Sequence, residues 1–181
     1  MLETFLISLL VATSSVSAPL PHAISAPRDL DTCFSPDEAC GEKLLAFVQS
    51  ARRSVDVAVF AITLEDLVDE LVDASMRIQV RVIVDARQAQ TENSLVYRLI
   101  RGKVDVRYGR QRGLMHDKFS IVDDAMVQTG SFNYTTYASE ASAENQVYLA
   151  SPVVVKRYKA HFDEMWDRAR PASRRPAESS Q

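Results

Sequence analysis

The sequence H-D-K-F-S-I-V-D spans residues 116–123 and is followed, after six residues, by G-S-F-N at residues 130–133. Apolar and β-branched residues at 118–122 and 125–129 predict two strands, and the Asp-Asp pair between them predicts a tight turn. Side chains two positions apart on a strand point to the same face. We therefore expect His116 and Lys118 to converge on one small anion.

The residues of this segment suit the binding and attack of a phosphate. A neutral His116 is a nucleophile or a general base near neutral pH, and Lys118 supplies a positive charge for a phosphate oxygen. Ser131 and Asn133 donate hydrogen bonds without adding charge, and Gly130 permits a tight turn before them. Each fragment alone is common on protein surfaces, so the prediction rests on their combination.

Two acidic residues complete the candidate site. Glu144 lies near the start of the last predicted strand. A carboxylate there would accept the proton of one imidazole nitrogen of His116, define the ring tautomer and leave the other nitrogen free to attack. Asp123 closes the strand that begins at Lys118, where it either orients a neighbouring group or forms a turn with the aspartate that follows.

The rest of the chain alternates between strand and helix patterns. Nearly continuous apolar runs at 55–62 and 80–84 predict strands that are covered on both faces. Further strands are predicted at 104–108 and 146–150, and helices after Ser35-Pro36, from Thr63, at about 92–101 and after Ser151-Pro152. This order predicts an α/β fold: a mixed, mostly parallel sheet flanked by helices on both faces, with antiparallel pairing near the 116–133 segment.

Length and composition fit one globular domain. The chain has 181 residues, of which 46% are hydrophobic and 25% charged, with a net charge of −3. This charge excludes a uniformly basic nucleic-acid coat, so a polyanion must be held locally. Arg107, Arg110 and Arg112 precede the motif and are candidates for binding phosphates that flank the reacting one; a solvated strand edge is the alternative.

The first residues fit an export signal. An apolar run at 5–11 is followed by small residues at 12–18, which suits a signal-peptide core and is short for a membrane span, although the segment carries no Lys or Arg. An uncleaved N-terminal anchor is the alternative. We divide the chain into a signal peptide or anchor (1–23), a linker (24–32), a folded domain (33–168) and a disordered tail (169–181). We expect a periplasmic or secreted protein.

The two cysteines, Cys33 and Cys40, lie shortly after the predicted signal. In an oxidising compartment they would form a disulfide that closes a short loop. A zinc-binding pair and two free thiols are the alternatives, although no second Cys or His pair completes a tetrahedral zinc site.

Together these residues resemble the signature of the phospholipase D superfamily, H-x-K-x4-D followed by G-S-x-N. The sequence is most similar to the small single-motif endonucleases of the bacterial periplasm, over roughly residues 34–166. Matching segments are F-S-P at 34–36, V-I-V-D at 82–85, M-H-D-K at 115–118, T-G-S-F-N-Y-T at 129–135 and A-E-N at 143–145. Glu144 matches the glutamate that the family places beside the catalytic histidine.

The resemblance implies a metal-independent phosphodiesterase with the phospholipase D/nuclease fold and no cofactor. His116 would form a covalent phosphohistidine, and a second histidine would protonate the leaving oxygen and then activate water. The chain has three histidines. His22 lies in the predicted signal, and His161 lies on the last predicted helix, away from any phosphate-binding pattern. We therefore expect a homodimer whose two-fold axis pairs His116 with its copy.

Nucleic acid, as DNA, RNA or both, is the predicted substrate. The implied chemistry would also hydrolyse a phospholipid, so a phospholipase D or cardiolipin hydrolase is the alternative; the apolar residues at 114–115 are the one feature near the motif that favours it. A catalytically silent nucleic-acid-binding module is a second alternative, and the complete set of His, Lys, Asn and Glu argues against it.

Overall fold

A computed structural model describes residues 30–109 and 113–172, and in them one eight-stranded sheet carries helices on both faces. The strands are β1 (Asp31–Ser35), β2 (Ser54–Val59), β3 (Gln79–Asp85), β4 (Asp105–Gly109), β5 (Lys118–Val122), β6 (Met126–Gly130), β7 (Glu144–Leu149) and β8 (Arg170–Pro171). The helices are α1 (Cys40–Gln49), α2 (Glu65–Ser75), α3 (Val96–Arg101), α4 (Thr136–Glu140) and α5 (Pro152–Arg168), with a 3-10 helix at Gln88–Gln90. The predicted α/β fold, a mixed sheet flanked by helices, is confirmed.

The strand order in the sheet is β1-β7-β6-β5-β2-β3-β4-β8. Strands β2, β3 and β4 pair in parallel, and a helix connects each to the next because parallel neighbours need a crossover. The remaining neighbours pair antiparallel. The prediction of a mostly parallel sheet is therefore wrong, since the second half of the chain contributes hairpin-like pairs that need no crossover.

The sheet is buried on both faces. Alternation along β3 places Val82 and Val84 in a core with α1, α2 and α3, and places Ile83 in a second core with α5. On α5, Phe162 and Trp166 are the large buried side chains of that second core. The continuous apolar runs of the central strands reflect this double coverage.

A charge network attaches α5 to the sheet. Arg81 on β3 donates two hydrogen bonds of 2.7 Å to Asp56 on β2 and one of 2.8 Å to Asp163 on α5. Lys159 lies 2.8 Å from Asp163 and 3.5 Å from Asp56. Burial would raise the pKa of Asp163, but the hydrogen bonds and charges of Lys159 and Arg81 outweigh it and lower that pKa. The Arg81 guanidinium also lies 4.8 Å from the centre of the Phe162 ring.

The N-terminal boundary of the domain differs from the prediction. Ser35 does not cap a helix: it ends β1, its hydroxyl donates to the Ala138 carbonyl at 2.7 Å, and α1 begins at Cys40. Because β1 pairs with β7 along residues 31–35, Asp31 and Thr32 belong to the sheet and not to the predicted linker. A five-residue strand that is partly exposed carries too little apolar pattern to be recognised in the sequence.

The C-terminal boundary of the folded domain also differs from the prediction. Residues 170–171 form β8 against β4, and the Ala172 N–H donates to the Val106 carbonyl at 2.9 Å. The prediction of disorder is wrong for these residues because backbone pairing orders them without apolar side chains. The predicted signal, residues 24–29 of the predicted linker, and residues 173–181 lie outside the described residues. Within 30–109 and 113–172, no helix is long and apolar enough to cross a membrane.

Cys33 and Cys40 form a disulfide bond that links the edge strand β1 to the start of α1, and both residues are buried. With Glu38 they are the one group of potential metal ligands within the described part of the chain. Cysteines joined in a disulfide offer no thiolate, so this group does not provide the ligands that zinc requires.

Candidate functional site

The two halves of the motif meet at one edge of the sheet. Val59, the last residue of β2, pairs with Lys118, the first residue of β5, and Phe119 pairs with Thr129 near the end of β6. His116 precedes β5 and Asn133 follows β6, so the antiparallel register brings both to the same edge.

The His116 ring and the Lys118 ammonium are in direct contact. Lys118 Nζ lies 3.2 Å from His116 Nδ1 and donates to the His116 carbonyl at 2.8 Å. A charged ammonium has no lone pair, so Nδ1 accepts and the proton of a neutral ring is on Nε2. Burial lowers the pKa of the Lys118 ammonium, while the carboxylates of Asp117 and Glu144 oppose part of that shift. The structure thus brings together the pair that the i, i+2 spacing predicts.

Phe60 is an unpredicted member of the site. Its ring centre lies 4.5 Å from that of His116, in an edge-on arrangement, and 5.3 Å from Lys118 Nζ. An aromatic face attracts a cation and packs against an imidazole without using their hydrogen bonds. Phe60 follows β2 directly, so an aromatic residue after a buried strand is the signal that points to it.

Asp85 anchors the segment that leads into His116. Its buried carboxylate accepts from the Met115 N–H at 3.0 Å through one oxygen and from the Arg87 and Gln88 N–H groups, at 2.9 and 3.1 Å, through the other. The aspartate that ends β3 therefore holds the loop before β5. This gives the V-I-V-D segment at 82–85 a structural role beside the site.

The backbone hydrogen bonds of the next residue, Tyr134, fix the position of Asn133. The Tyr134 N–H donates to the Ala61 carbonyl at 3.1 Å, and the Tyr134 carbonyl accepts from the Thr63 N–H at 2.8 Å. The Asn133 Oδ1 atom is buried without a hydrogen-bond partner, and no described protein group bonds to Nδ2. The amide nitrogen is therefore available to donate to a phosphate oxygen.

Ser131 and Glu144 bind each other. The Ser131 hydroxyl donates to one Glu144 oxygen, and Ser142 donates to the other at 2.9 Å. Ser131 Oγ also accepts from the Asn145 N–H at 3.1 Å. In the described part of the chain no hydrogen bond joins Glu144 to His116. Within one chain Glu144 therefore orients Ser131, and its role toward the imidazole stays a prediction.

Gly130 is required by the close approach of β6 to β7. Its φ is +151°, and a Cβ atom there would lie 2.1 Å from the Asn145 carbonyl oxygen. A side chain at this position would push the strands apart and shift Ser131 and Asn133. Its role in the structure is this approach of the backbone, and substrate contact by Gly130 stays a prediction.

Asp123 lies at the far end of β5, about 16 Å from the His116 edge at the usual rise of a strand. Its carboxylate accepts from the backbone N–H groups of Arg52, Arg53 and Ser54 at 2.6–3.1 Å. Burial would raise the pKa of Asp123, but these hydrogen bonds and the Arg53 charge lower it overall. The predicted catalytic role of Asp123 is wrong, because its carboxylate holds the start of β2. The alternative, a turn with Asp124, is confirmed: the Ala125 N–H donates to the Val122 carbonyl at 2.9 Å.

We expect Asp123→Ala to lower the free energy of unfolding by about 2 kcal/mol at neutral pH, with unchanged catalysis by the folded protein. The pKa of Asp123 is lower in the folded than in the unfolded chain. Its contribution is therefore complete above the ordinary value of 3.8 and is lost as the pH falls through the folded value. Urea unfolding of the wild type, Asp123→Ala and Asp123→Asn across this range measures the effect. Loss of activity at full stability would contradict the structural role.

The basic residues before the motif divide into two groups. Arg107 donates to the Trp166 carbonyl at 2.8 Å and lies 4.3 Å from the centre of that indole ring. It packs α5 onto β4, so its predicted role as a phosphate ligand is wrong. Arg110 and Arg112 lie outside the described residues, and their role in substrate binding stays a prediction.

His161 lies closer to the motif than the sequence indicates. Its Nε2 atom is 3.3 Å from Asp117 Oδ2, and it lines the same cavity as His116. Helical spacing places His161 on the flank of α5, but only the packing of α5 on the sheet turns that flank toward residues 116–117.

Comparison with known proteins matches residues 44–166 to the family described as cardiolipin synthase, PLD-like domain. The mitochondrial cardiolipin hydrolase of Xenopus tropicalis is 33% identical over 158 residues, which cover 87% of this chain and 69% of that protein. The mitochondrial cardiolipin hydrolase of Chlamydomonas reinhardtii is 33% identical over 126 residues, 69% of this chain; the match spans 56% of the algal protein. The crystal structure of Nuc from Salmonella typhimurium, a phospholipase D family member, is 26% identical, with a TM-score of 0.75 over 80% of this chain and 97% of that chain.

Proposed function

The chain belongs to the phospholipase D superfamily, and on that basis we propose that it is a metal-independent phosphodiesterase that cleaves DNA, RNA or both. The observation that carries the proposal is the contact of the His116 ring with the Lys118 ammonium at the edge that also holds Asn133. These groups supply a nucleophile, a positive charge and a neutral hydrogen-bond donor for one phosphate.

In the proposed reaction an unprotonated ring nitrogen of His116 attacks phosphorus. The N–P bond forms as the P–O bond to the leaving group breaks, and the leaving oxygen takes a proton from a second imidazolium. Water then attacks the phosphohistidine and gives its proton to that second imidazole as the N–P bond breaks. Lys118 and Asn133 stabilise the charge on the non-bridging oxygens of the phosphate. A bound phosphate also competes with His116 Nδ1 for the Lys118 ammonium, and this frees the lone pair of Nδ1.

We propose that the second imidazole is His116 of a second copy of the chain. His116 is exposed at the sheet edge, so a two-fold axis beside it would bring two rings to one phosphate. Of the other histidines, His161 pairs with Asp117 and His22 lies outside the described residues. Activity per chain is expected to fall on dilution as the dimer dissociates. Full activity in a species that sedimentation shows to be monomeric would refute the dimer.

Hydrolysis of a phospholipid such as cardiolipin is the second candidate function. Two of the similar proteins are named mitochondrial cardiolipin hydrolases. In this chain Leu114 is 43% exposed beside the buried Met115, two residues from His116. The same phosphohistidine chemistry serves both substrates, so only a direct comparison of substrates separates the two functions.

We also propose that the protein works in the periplasm or after secretion. The apolar run at 5–11 supports an export signal, and the Cys33–Cys40 disulfide is of a kind that persists in oxidising compartments. Recovery of the disulfide-bonded protein in the extracytoplasmic fraction of cells tests this proposal.

In the deciding experiment, the purified protein is incubated with each of four substrates in the presence of a chelator. The substrates are single-stranded DNA, duplex DNA, RNA and cardiolipin vesicles. We expect nucleic acid to be cleaved fastest, and Lys118→Met, which keeps the apolar stem, to lose about 10³-fold in rate on every substrate. Faster hydrolysis of cardiolipin would establish the second candidate instead. If the protein binds nucleic acid but does not cleave it, and no phosphohistidine can be trapped, the protein is the catalytically silent binding module. Loss of all activity in chelator would overturn the metal-independent mechanism.

A further inference from the structure

A groove runs along the exposed side of α5 and opens beside His116. One part, with a volume of about 760 Å³, is lined by His116 and by residues of the second half of α5. Another part, of about 460 Å³, continues along the first half of α5 to Val154 and Arg157. Asp117 and His161 line both parts, so the two parts adjoin at the contact between these side chains and form a path of two segments along α5 from the candidate active site.

The alternation of side chains along β5 shows that the groove lies on the face of the sheet that α5 covers. Phe119 belongs to the core under α5, whereas the Ser120 hydroxyl bonds to Tyr134 in the core on the opposite face. Asp117 shares the side of Phe119, and Lys118 shares the side of Ser120. His116 stands where the two faces meet, since it contacts Lys118 and also lines the groove.

Two cation-forming side chains line this path one helical turn apart. Arg157 and His161 are four residues apart on α5, which is about 6 Å along a helix axis. Arg157 is exposed and makes no hydrogen bond or ion pair with other described residues. His161 is half exposed, and Asp117 holds its ring through Nε2 while Nδ1 has no partner among the described residues. An unpaired guanidinium in a groove that leads from the reacting histidine suits a second phosphate.

The remaining charges of the groove do not compete for this role. Arg168 is exposed near its far end, but it pairs with Glu164 on the same helix, so the two charges offset each other. Asp117 pairs with His161 in the same way, so Arg157 is the one charged side chain of the groove that has no ion-pair partner among the described residues, while His161 keeps Nδ1 unbonded.

We propose that this groove binds the nucleic-acid strand that continues from the reacting phosphate, with Arg157 and His161 contacting successive backbone phosphates. The inference rests on the proposed phosphodiesterase function and names its substrate as a polyanionic chain. A cardiolipin molecule carries one phosphate beyond the reacting one and then acyl chains, whereas a strand carries one phosphate at every nucleotide. Two side chains in series that can each meet a phosphate, Arg157 and His161, therefore fit the strand better.

Apolar side chains also line the part of the groove nearest His116. Leu114, Met115 and Met165 line it, and such a wall would also accept an acyl chain. The test therefore includes cardiolipin vesicles beside nucleic acid, so that a lipid occupant is recognised directly.

The experiment compares the wild type with the double variant Arg157→Gln/His161→Gln. Lys156→Gln is the matched control, because Lys156 is an exposed cation on the same helix that does not line the groove. For each protein, kcat/KM is measured on a single-stranded oligonucleotide of about 12 nucleotides and on bis(p-nitrophenyl) phosphate, which reaches only the reacting residues. Hydrolysis of cardiolipin vesicles is measured beside them. Thermal unfolding of each variant verifies that it is folded.

We expect the ratio of kcat/KM for the oligonucleotide to that for the small diester to fall about tenfold in the double variant, with a salt dependence shallower by about 1–2 in the log–log slope. The Lys156→Gln ratio is expected to equal that of the wild type. An unchanged ratio in the double variant would overturn the proposal that the groove binds the strand, and it would leave the proposed phosphodiesterase function standing. A wild type that hydrolyses the small diester and cardiolipin but no oligonucleotide would also overturn it. A wild type that cleaves none of the three would overturn the proposed function itself.

Discussion

Replacement of His116 by alanine is expected to lower the rate of phosphodiester cleavage by about 10⁴-fold or more. The substitution removes the ring that forms the N–P bond in the proposed reaction. Lys118 and Asn133 remain to bind the phosphate, so we expect kcat to fall far more than KM changes. Single-turnover and steady-state rates on one oligonucleotide, with radiolabelled substrate to trap the phosphohistidine, measure both effects.

Stability provides the control for this variant. His116 is exposed, and its ring contacts Phe60 at the surface of the sheet edge. The melting temperature of His116→Ala is therefore expected to lie within about 2 °C of the wild type. A folded variant that keeps substantial activity would exclude His116 as the nucleophile.

Replacement of Arg81 by methionine is expected to lower the free energy of unfolding by about 3–5 kcal/mol. Methionine keeps the apolar stem but removes the guanidinium that pairs with Asp56, whose side chain is 2% exposed. The carboxylate is then left with Lys159, 3.5 Å away, and the contacts of Arg81 with the Phe162 and Trp166 rings are lost. Trp166 is the one tryptophan of the chain, so its fluorescence during urea unfolding reports on this contact of α5 with the sheet.

Arg98→Met is the matched control for Arg81→Met. Arg98 also pairs with a carboxylate at 2.7 Å, that of Asp69, but both side chains are nearly half exposed. We expect this variant to lose less than about 1 kcal/mol. Adding Asp56→Asn to Arg81→Met is expected to recover part of the lost stability, since it removes the unpaired charge. If Arg81→Met and Arg98→Met lose the same free energy of unfolding, burial of the Arg81 network contributes nothing to stability.

The local pattern of the chain predicts the central part of the fold. Strand β5 has the predicted bounds, and the apolar runs around β2 and β3 are strands buried on both faces, because an unbroken apolar run requires cover on each side. The edge strands β1 and β8 and the short helix α4 are absent from the prediction. Backbone pairing and a few contacts order these segments, and neither leaves an apolar period in the sequence.

The residue pattern alone predicts the contact of His116 with Lys118, the proposed nucleophile and its cation, because side chains two positions apart in an extended segment lie on the same face. The other assignments depend on register and packing between distant segments. The packing of the folded chain places Phe60 against His116, brings Asp123 to β2 at the far end of the sheet, and sets His161 beside Asp117. No local period specifies such contacts, since each joins residues more than forty positions apart, and only the strand order and the placement of α5 bring them together.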